Sequence, residues 1–154
     1  MKLTTKGRYA VTAMMDLALH AKLDCVSLVD VAERQKISLF YLEQLFRSLR
    51  KSGLVNSVRG AKGGYMLAKT DHEITLADIL VAADEEINLA CGGKNCSDED
   101  HCLTHGLWTQ LSNQFYEFLD SKTLHDLIKS RDVQTMATMQ DVTQIGNIPV
   151  QISK

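Results

Sequence analysis

The chain has 154 residues, of which 45% are hydrophobic and 23% are charged, and its net charge at neutral pH is −2. This length fits one domain, or a small domain with an appendage, and it can bury a core without disulfide bonds. No stretch approaches the roughly 18 uncharged apolar residues of a membrane-spanning helix, which excludes a membrane protein and predicts a cytoplasmic one.

The charge is divided unevenly along the chain. Residues 1–70 carry twelve Lys and Arg against five Asp and Glu, whereas residues 71–154 carry five against fourteen. Such an asymmetry between the halves indicates that the first half binds nucleic acid or another anionic surface.

Three helices are predicted first, because apolar residues recur every three or four positions. They cover about residues 5–22, a short stretch after Ser27, and about 39–52. A tight turn over 35–37 separates the second helix from the third. Ser38 is the predicted cap of the third helix and Gly53 its stop. The third helix is expected to bury Leu39 and the leucines that follow, and to expose a polar, partly basic face.

A β-hairpin is predicted after the third helix. Two alternating strands, at 54–58 and 65–68, flank the glycine-rich turn 59–64. The order of helix, helix, tight turn, helix and hairpin is typical of a winged helix-turn-helix module. In such a module the third helix enters the major groove of DNA. The predicted fold class is therefore mainly α with a small β-hairpin.

The exposed positions of the third helix and of the hairpin are the candidate DNA-binding residues. They are Ser38, Phe40, Tyr41, Glu43, Gln44, Arg50, Lys51, Arg59, Gly60, Lys62, Gly63 and Gly64. Arg50 and Lys51, at the far end of the helix, are expected to contact phosphate rather than bases. The glycines let the hairpin backbone approach phosphate closely. The alternative is that the basic face of this helix is only exposed to solvent and binds no DNA.

Glu43 is the unusual residue of this set. A carboxylate that faces DNA repels phosphate unless it accepts a hydrogen bond from cytosine N4, so Glu43 is a candidate for sequence selection. The alternative is an exposed ion pair with Arg47, one turn further along the helix.

The second half is predicted to contain helices and one polar loop. The elements are a helix from Thr75 to about Ala83, the loop 85–103, a long helix over about 104–121, and a short helix after Thr123. Residues 132–154 lack clear periodicity and contain Gly146 and Pro149, so they are predicted to form a mobile tail.

Three of the four cysteines lie in the polar loop or at its end. Cys91, Cys96, Cys102 and His105 offer three thiolates and one imidazole within fifteen residues. In a reducing compartment such a cluster indicates metal ligands or redox groups rather than disulfides. Zinc and an iron–sulfur cluster both suit this ligand set, and the wide gaps between the cysteines favour the larger cofactor. His101 is the rival of His105, and a metal-free thiol switch stays open.

Two further expectations concern residues outside the loop. Cys25 is expected to be a buried small hydrophobic residue. No acid–base pair, phosphate-binding loop or nucleophile motif is found, so the chain is not expected to be an enzyme.

Five segments closely resemble a family of bacterial winged-helix transcription factors, the iron–sulfur cluster regulators. They are 3–11, 37–45, 54–60, 63–65 and 102–108, within a similarity that covers roughly residues 1–130. The resemblance implies a homodimer that binds double-stranded operator DNA and represses or activates cluster-assembly genes. It implies a 2Fe–2S cluster, received from the cluster-assembly machinery, on Cys91, Cys96, Cys102 and His105. The alternative functions are a zinc-stabilised regulator and a sensor of nitric oxide or redox state.

The resemblance also implies a domain organisation. Residues 1–84 would be the DNA-binding domain, 85–103 the cluster loop, 104–131 the dimerisation helices and 132–154 the tail. The long helix after the loop would cross its twin through Trp108, Leu111, Phe115 and Phe118.

The sequence departs from the family pattern at three places. The gap from Cys91 to Cys96 is one residue shorter than usual, and Phe40 replaces a small polar residue in the third helix. Lys36 replaces a glycine of the turn. If its φ is positive, a lysine there costs about 1 kcal/mol.

Overall fold

The computed structural model describes residues 4–21, 24–85, 87 and 103–146. The elements of these ranges are α1 (Thr5–His20), α2 (Leu28–Gln35), α3 (Leu39–Lys51), β1 (Val55–Val58), β2 (Gly64–Leu67), α4 (Leu76–Ala82), α5 (His105–Asp120), α6 (Leu124–Ile128) and α7 (Arg131–Gly146). The predicted fold class, mainly helical with one antiparallel hairpin, is confirmed. Within the described ranges, no helix combines the length and apolar character that a membrane span requires.

The core of the first half of the chain is built from the apolar stripes of the first and third helices. The buried side chains that α1 and α3 contribute to this core are Ala10, Ala13, Met14, Leu17, Leu42, Leu45, Phe46 and Leu49. Thr4 and Ser27 accept hydrogen bonds from backbone N–H groups of the first turns of α1 and α2, as helix caps do. Because these stripes face inward, the polar face of α3 is left in solvent.

The hairpin is fastened to the helices by a short backbone bridge. Its strands pair in antiparallel register from Val55 with Leu67 to Val58 with Gly64. Val26, between α1 and α2, pairs with Tyr65 through N–H···O contacts of 2.9 and 2.8 Å. A Cβ at Gly64 would lie 2.4 Å from the Val26 carbonyl oxygen, so only glycine allows this close approach.

Lys36 ends α2 in the left-handed region. Its φ is 55° and its ψ 39°, and its N–H donates to the Ala32 carbonyl. A Cβ is strained in this conformation, which explains why a glycine is expected there.

Replacing Lys36 with glycine should raise the free energy of unfolding by about 1 kcal/mol, because the strain at this position is removed. Urea unfolding followed by circular dichroism would measure the change. Lys36→Ala is the matched control, since it loses the same long side chain but keeps the Cβ, and it should gain little. Equal stability of the glycine variant and the wild type would contradict this explanation.

Residues 131–146 form helix α7, whereas the sequence predicted a mobile tail over 132–154; residues 147–154 lie outside the described range. The sequence analysis missed this helix because α7 has no strong apolar stripe. It packs on α1 and α6, with Ala137 buried. Gln35 Nε2 donates to Gln140 Oε1 at 3.2 Å. Polar contacts between distant segments leave no periodic signal in the sequence.

A buried carboxylate lies beneath this contact. Asp16 is 1% exposed and accepts hydrogen bonds from Arg34 Nη2 at 2.7 Å and Nε at 2.9 Å, and from Gln35 at 2.6 Å. Burial by itself would raise the pKa of Asp16, but the hydrogen bonds from Arg34, His20 and Gln35 lower it to about 2. Asp16 therefore stays ionised throughout the physiological pH range.

His20 lies between Asp16 and the last helix. Its Nδ1 is 2.8 Å from the Asp16 carbonyl oxygen and 3.6 Å from Asp16 Oδ1. Its Nε2 is 3.0 Å from Asp141 Oδ1, within ion-pair range although not aligned for a hydrogen bond. The interaction with the Asp16 side chain raises the pKa of His20 against the opposing effect of burial.

The raised pKa of His20 predicts a pH-dependent stability. A proton held more tightly in the folded state adds stability that is complete below the unfolded pKa of about 6.5 and is lost as the pH rises through the folded pKa. We expect the free energy of unfolding to fall as the pH rises from about 6.5 through the raised pKa of His20 in the folded state. His20→Asn should flatten this decline, and denaturant titrations at several pH values would measure it. An identical pH profile in the variant would show that His20 is not responsible.

Candidate functional site

The exposed face of α3 carries most of the predicted DNA-binding residues. Phe40 is 69% exposed, and Ser38, Glu43 and Gln44 are also exposed. Ser38 is the N-cap residue of α3, as predicted, but its side chain makes no capping hydrogen bond. Its hydroxyl is therefore not committed to the helix.

Two residues of α3 lie differently from the expectation. Tyr41 is half-buried, and its ring packs edge-to-face on Tyr9 with the ring centroids 5.6 Å apart. Leu39, predicted to be buried, is 38% exposed. It sits in the first turn of α3, at the edge of the core, where the helical period alone does not decide burial.

A groove runs between α2, α3 and β2. Its lining residues are Leu28, Val29, Leu39, Glu43, Arg47, Arg50 and Tyr65. The groove thus has an apolar floor from α2 and β2 and a charged wall from α3. Sequence reasoning did not include Arg47 in the candidate set, although its position one turn after Glu43 was a signal for it.

The charged side chains of this wall are not paired with one another. Among the residues that the structure describes, Glu43 forms no ion pair with Arg47, so the exposed-pair alternative for Glu43 is not realised. Arg50 instead donates from Nη1 to Ser57 Oγ of β1 at 3.3 Å. Glu43 and Arg47 are therefore available to an external partner, whereas Arg50 also links the end of α3 to the hairpin.

The tip of the hairpin presents Arg59 and Lys62 to solvent. Gly60 has a φ of 124°, and a Cβ at Gly63 would lie 2.6 Å from the Val58 carbonyl oxygen. The hairpin turn thus requires its glycines whether or not DNA is bound. Cys25, predicted to be a buried small hydrophobic residue, is half-buried, and its Sγ donates to the Lys62 carbonyl oxygen at 2.8 Å.

Of the predicted metal ligands, His105 lies in the described part of the chain. Cys91, Cys96 and Cys102, and the rival His101, lie outside it. His105 is the first residue of α5 and is half-buried. Its Nδ1 is shielded from water and has no hydrogen-bond partner in the described ranges. A buried nitrogen without a partner is costly, so this atom fits a ligand that binds a metal centre.

Helix α5 exposes a broad apolar face. Leu107, Trp108, Leu111 and Phe118 are between 39% and 60% exposed. Phe115 is half-buried and packs on the small cluster that joins α5 to α4. Three of the four residues predicted for dimerisation therefore face outward, and Phe115 faces its own chain. An exposed apolar patch of this kind is typical of a protein–protein contact.

A family model described as Rrf2, iron-dependent transcriptional regulator, matches residues 3–130. The chain belongs to the Rrf2 family. Members of this family are DNA-binding transcription regulators rather than enzymes, so the chain is a regulator with a helix-turn-helix.

Curated relatives agree with this assignment. The chain is 51% identical over 143 residues to the HTH-type transcriptional regulator IscR of Photorhabdus laumondii, covering 92% of this chain and 87% of the relative. It is 50% identical over 144 residues to IscR of Vibrio campbellii, covering 92% and 86%. The resemblance found in the sequence is thereby confirmed.

Solved structures give the same fold. T. potens IscR matches with a TM-score of 0.69 and 44% identity, over 84% of this chain and 87% of that one. CymR, the global cysteine regulator of B. subtilis, matches with a TM-score of 0.68 and 36% identity, over 82% and 95%. IscR of T. potens and CymR of B. subtilis therefore share the winged-helix fold of this chain.

Proposed function

We propose that this chain is a homodimeric, cytoplasmic regulator of cluster-assembly genes that responds to the supply of iron–sulfur clusters. A 2Fe–2S cluster from the assembly machinery would be held by Cys91, Cys96, Cys102 and His105. The observation that carries the proposal is the shielded, partnerless Nδ1 of His105 at the start of α5, next to the exposed face of that helix. Operator DNA would be bound by α3 and the hairpin.

The donor set suits this cofactor. Three thiolates and one imidazole can hold the cluster, which supplies a redox-active centre that absorbs visible light. Both thiols and imidazole must lose their protons to bind, so occupancy should fall at low pH. Binding the cluster would fix the orientation of the His105 ring. It would thereby also fix the first turn of α5, which His105 begins.

Residues at both ends of the cysteine loop are tied to other parts of the fold. At its start, Asp84 accepts a hydrogen bond from Lys6 at 2.9 Å, and Glu85 accepts one from the Thr4 backbone at 2.9 Å. At its end, His105 begins α5. An ordered loop would therefore link α1, in the DNA-binding half, to α5, the proposed dimer helix.

The dimer helix provides the route from the loop to the operator. If α5 crosses its twin through Trp108, Leu111 and Phe118, a shift of α5 changes the separation of the two copies of α3. Two reading helices bind half-sites about 34 Å apart, one turn of DNA. Operators would be distinguished only where their affinities for the two states differ.

Cluster binding can be tested on protein purified without oxygen. We expect a coloured protein with about two iron and two sulfide per chain, and loss of both in Cys96→Ser and His105→Ala. His101→Ala is the matched control and should keep its cluster, because His105 is the proposed imidazole ligand. Footprinting of both forms should show different operator preferences. A colourless protein rich in zinc would overturn the proposal and favour a zinc-stabilised regulator.

Glu43 provides a second test. Its carboxylate is free and faces outward, so it should disfavour sites that offer no cytosine N4 group. Glu43→Ala should let the cluster-free form bind sites that it otherwise rejects, as measured by fluorescence anisotropy at fixed salt. Glu117→Ala, which removes the same charge from α5, is the control for net charge. Unchanged preference in Glu43→Ala would refute its role in selection.

A further inference from the structure

Three potential metal ligands meet outside the cysteine loop. Asp71 and His72 lie between β2 and α4, and His125 lies in α6. One ligand atom from each of the three side chains lies within 4.8 Å of the other two. The winged-helix function described above makes no use of this cluster.

The backbone beneath the cluster is held in place at several points. The His125 N–H donates to the Asp71 carbonyl oxygen at 3.0 Å, and the Leu124 N–H donates to the Ile74 carbonyl oxygen at 2.8 Å. Thr75 and Thr123 form a β-bridge, and each also caps its helix through a capping box. The two segments are therefore positioned by the fold rather than by the three side chains.

The spacing of the side chains suits a small divalent ion. His125 Nδ1 is 3.0 Å from Asp71 Oδ2, and His72 Nε2 is 4.0 Å from Asp71 Oδ1. Two ligands that bind one tetrahedral zinc ion at about 2.0–2.1 Å are about 3.3 Å apart. The pair Asp71 and His125 already has nearly this separation. The His72 ring stacks on the His125 ring with the ring centroids 3.8 Å apart. The His72 side chain is 66% exposed, so solvent leaves room for it to turn out of this stack toward a shared ion.

We propose that Asp71, His72 and His125 form a binding site for zinc or a similar late first-row divalent ion. The ion would take the place of the proton between His125 Nδ1 and Asp71 Oδ2, and the neutral imidazole would carry its single N–H proton on Nε2 instead. The exposure of His72 leaves a further coordination position open to water. Two imidazoles with one carboxylate suit zinc, nickel, cobalt or copper rather than magnesium or calcium.

The site has a structural consequence. It joins the segment before α4 to α6, so a bound ion cross-links the DNA-binding half to the helix that follows α5. An ion that binds the folded chain in preference to the unfolded chain stabilises it by mass action. Binding also requires neutral imidazoles, so acid should weaken the affinity for the ion.

The test must separate this site from the thiolates of the loop. We would use the full chain without a polyhistidine tag, with Cys91, Cys96 and Cys102 replaced by serine, and titrate it with zinc chloride by calorimetry at pH 7.5. We expect one equivalent of zinc, and an affinity at least about tenfold weaker in both His72→Ala and His125→Ala. His72 is the cleaner variant, because its side chain is exposed and the packing contact given for it is the stack on the His125 ring. Circular dichroism would confirm that both variants fold.

His101→Ala and His105→Ala in the same background are the matched controls, since each removes one imidazole from elsewhere in the chain. Their zinc affinity and thermal stabilisation by zinc should equal those of the parent. Undetectable zinc binding by the parent would overturn the proposal, as would equal affinity in His72→Ala and the parent. These outcomes are independent of the proposed regulator function, which is tested through iron, sulfide and operator binding.

Discussion

The buried carboxylate of Asp16 is the interaction on which the arrangement of the helices depends. One side chain on α1 accepts hydrogen bonds from two consecutive residues of α2, Arg34 and Gln35, and also interacts with His20. Removing one partner of such a pair would leave a buried charge without compensation, which typically costs 3–5 kcal/mol. The angle between α1 and α2 is thereby fixed, and α3 follows α2 through the constrained turn at Lys36.

The same cluster connects the DNA-binding half to the end of the described chain. Gln35 contacts Gln140, and His20 lies against Asp141, so α7 rests on the residues that position α2. These contacts are polar and partly exposed to water. They hold α7 less firmly than an apolar core would, because exposed polar contacts add little net free energy.

Much of the fold could be predicted from the sequence because it rests on local signals. The apolar periods of α1 and α3, the cap residues Ser27 and Thr75, and the glycines of the hairpin all lie within a few residues of the structure that they determine. Features that depend on distant partners could not be predicted. The contact of Tyr41 with Tyr9 and the docking of α7 are set by tertiary packing.

The features of the candidate site likewise divide into those that local sequence signals predict and those that depend on contacts between distant residues. The polar face of α3 follows from its helical period, whereas the freedom of Glu43 from Arg47 and the link from Arg50 to Ser57 depend on side-chain geometry. The residue type of Cys25 was not enough to predict its environment. Cysteine is usually buried, but Cys25 is half-buried and contacts the Lys62 backbone. The cluster of Asp71, His72 and His125 joins residues more than fifty positions apart in the chain, which no spacing motif reveals.

The bridge between Val26 and Tyr65 limits the conformational changes by which this protein can alter its binding to DNA. Since the hairpin shares two backbone hydrogen bonds with the segment that leads into α2, we expect the hairpin and the helices to move together as one block. A signal that arrives from elsewhere in the chain can tilt or displace that block, but it cannot swing the hairpin alone. In the proposed dimer, the distance between the two such blocks, rather than a change within either block, would then determine which operators are bound.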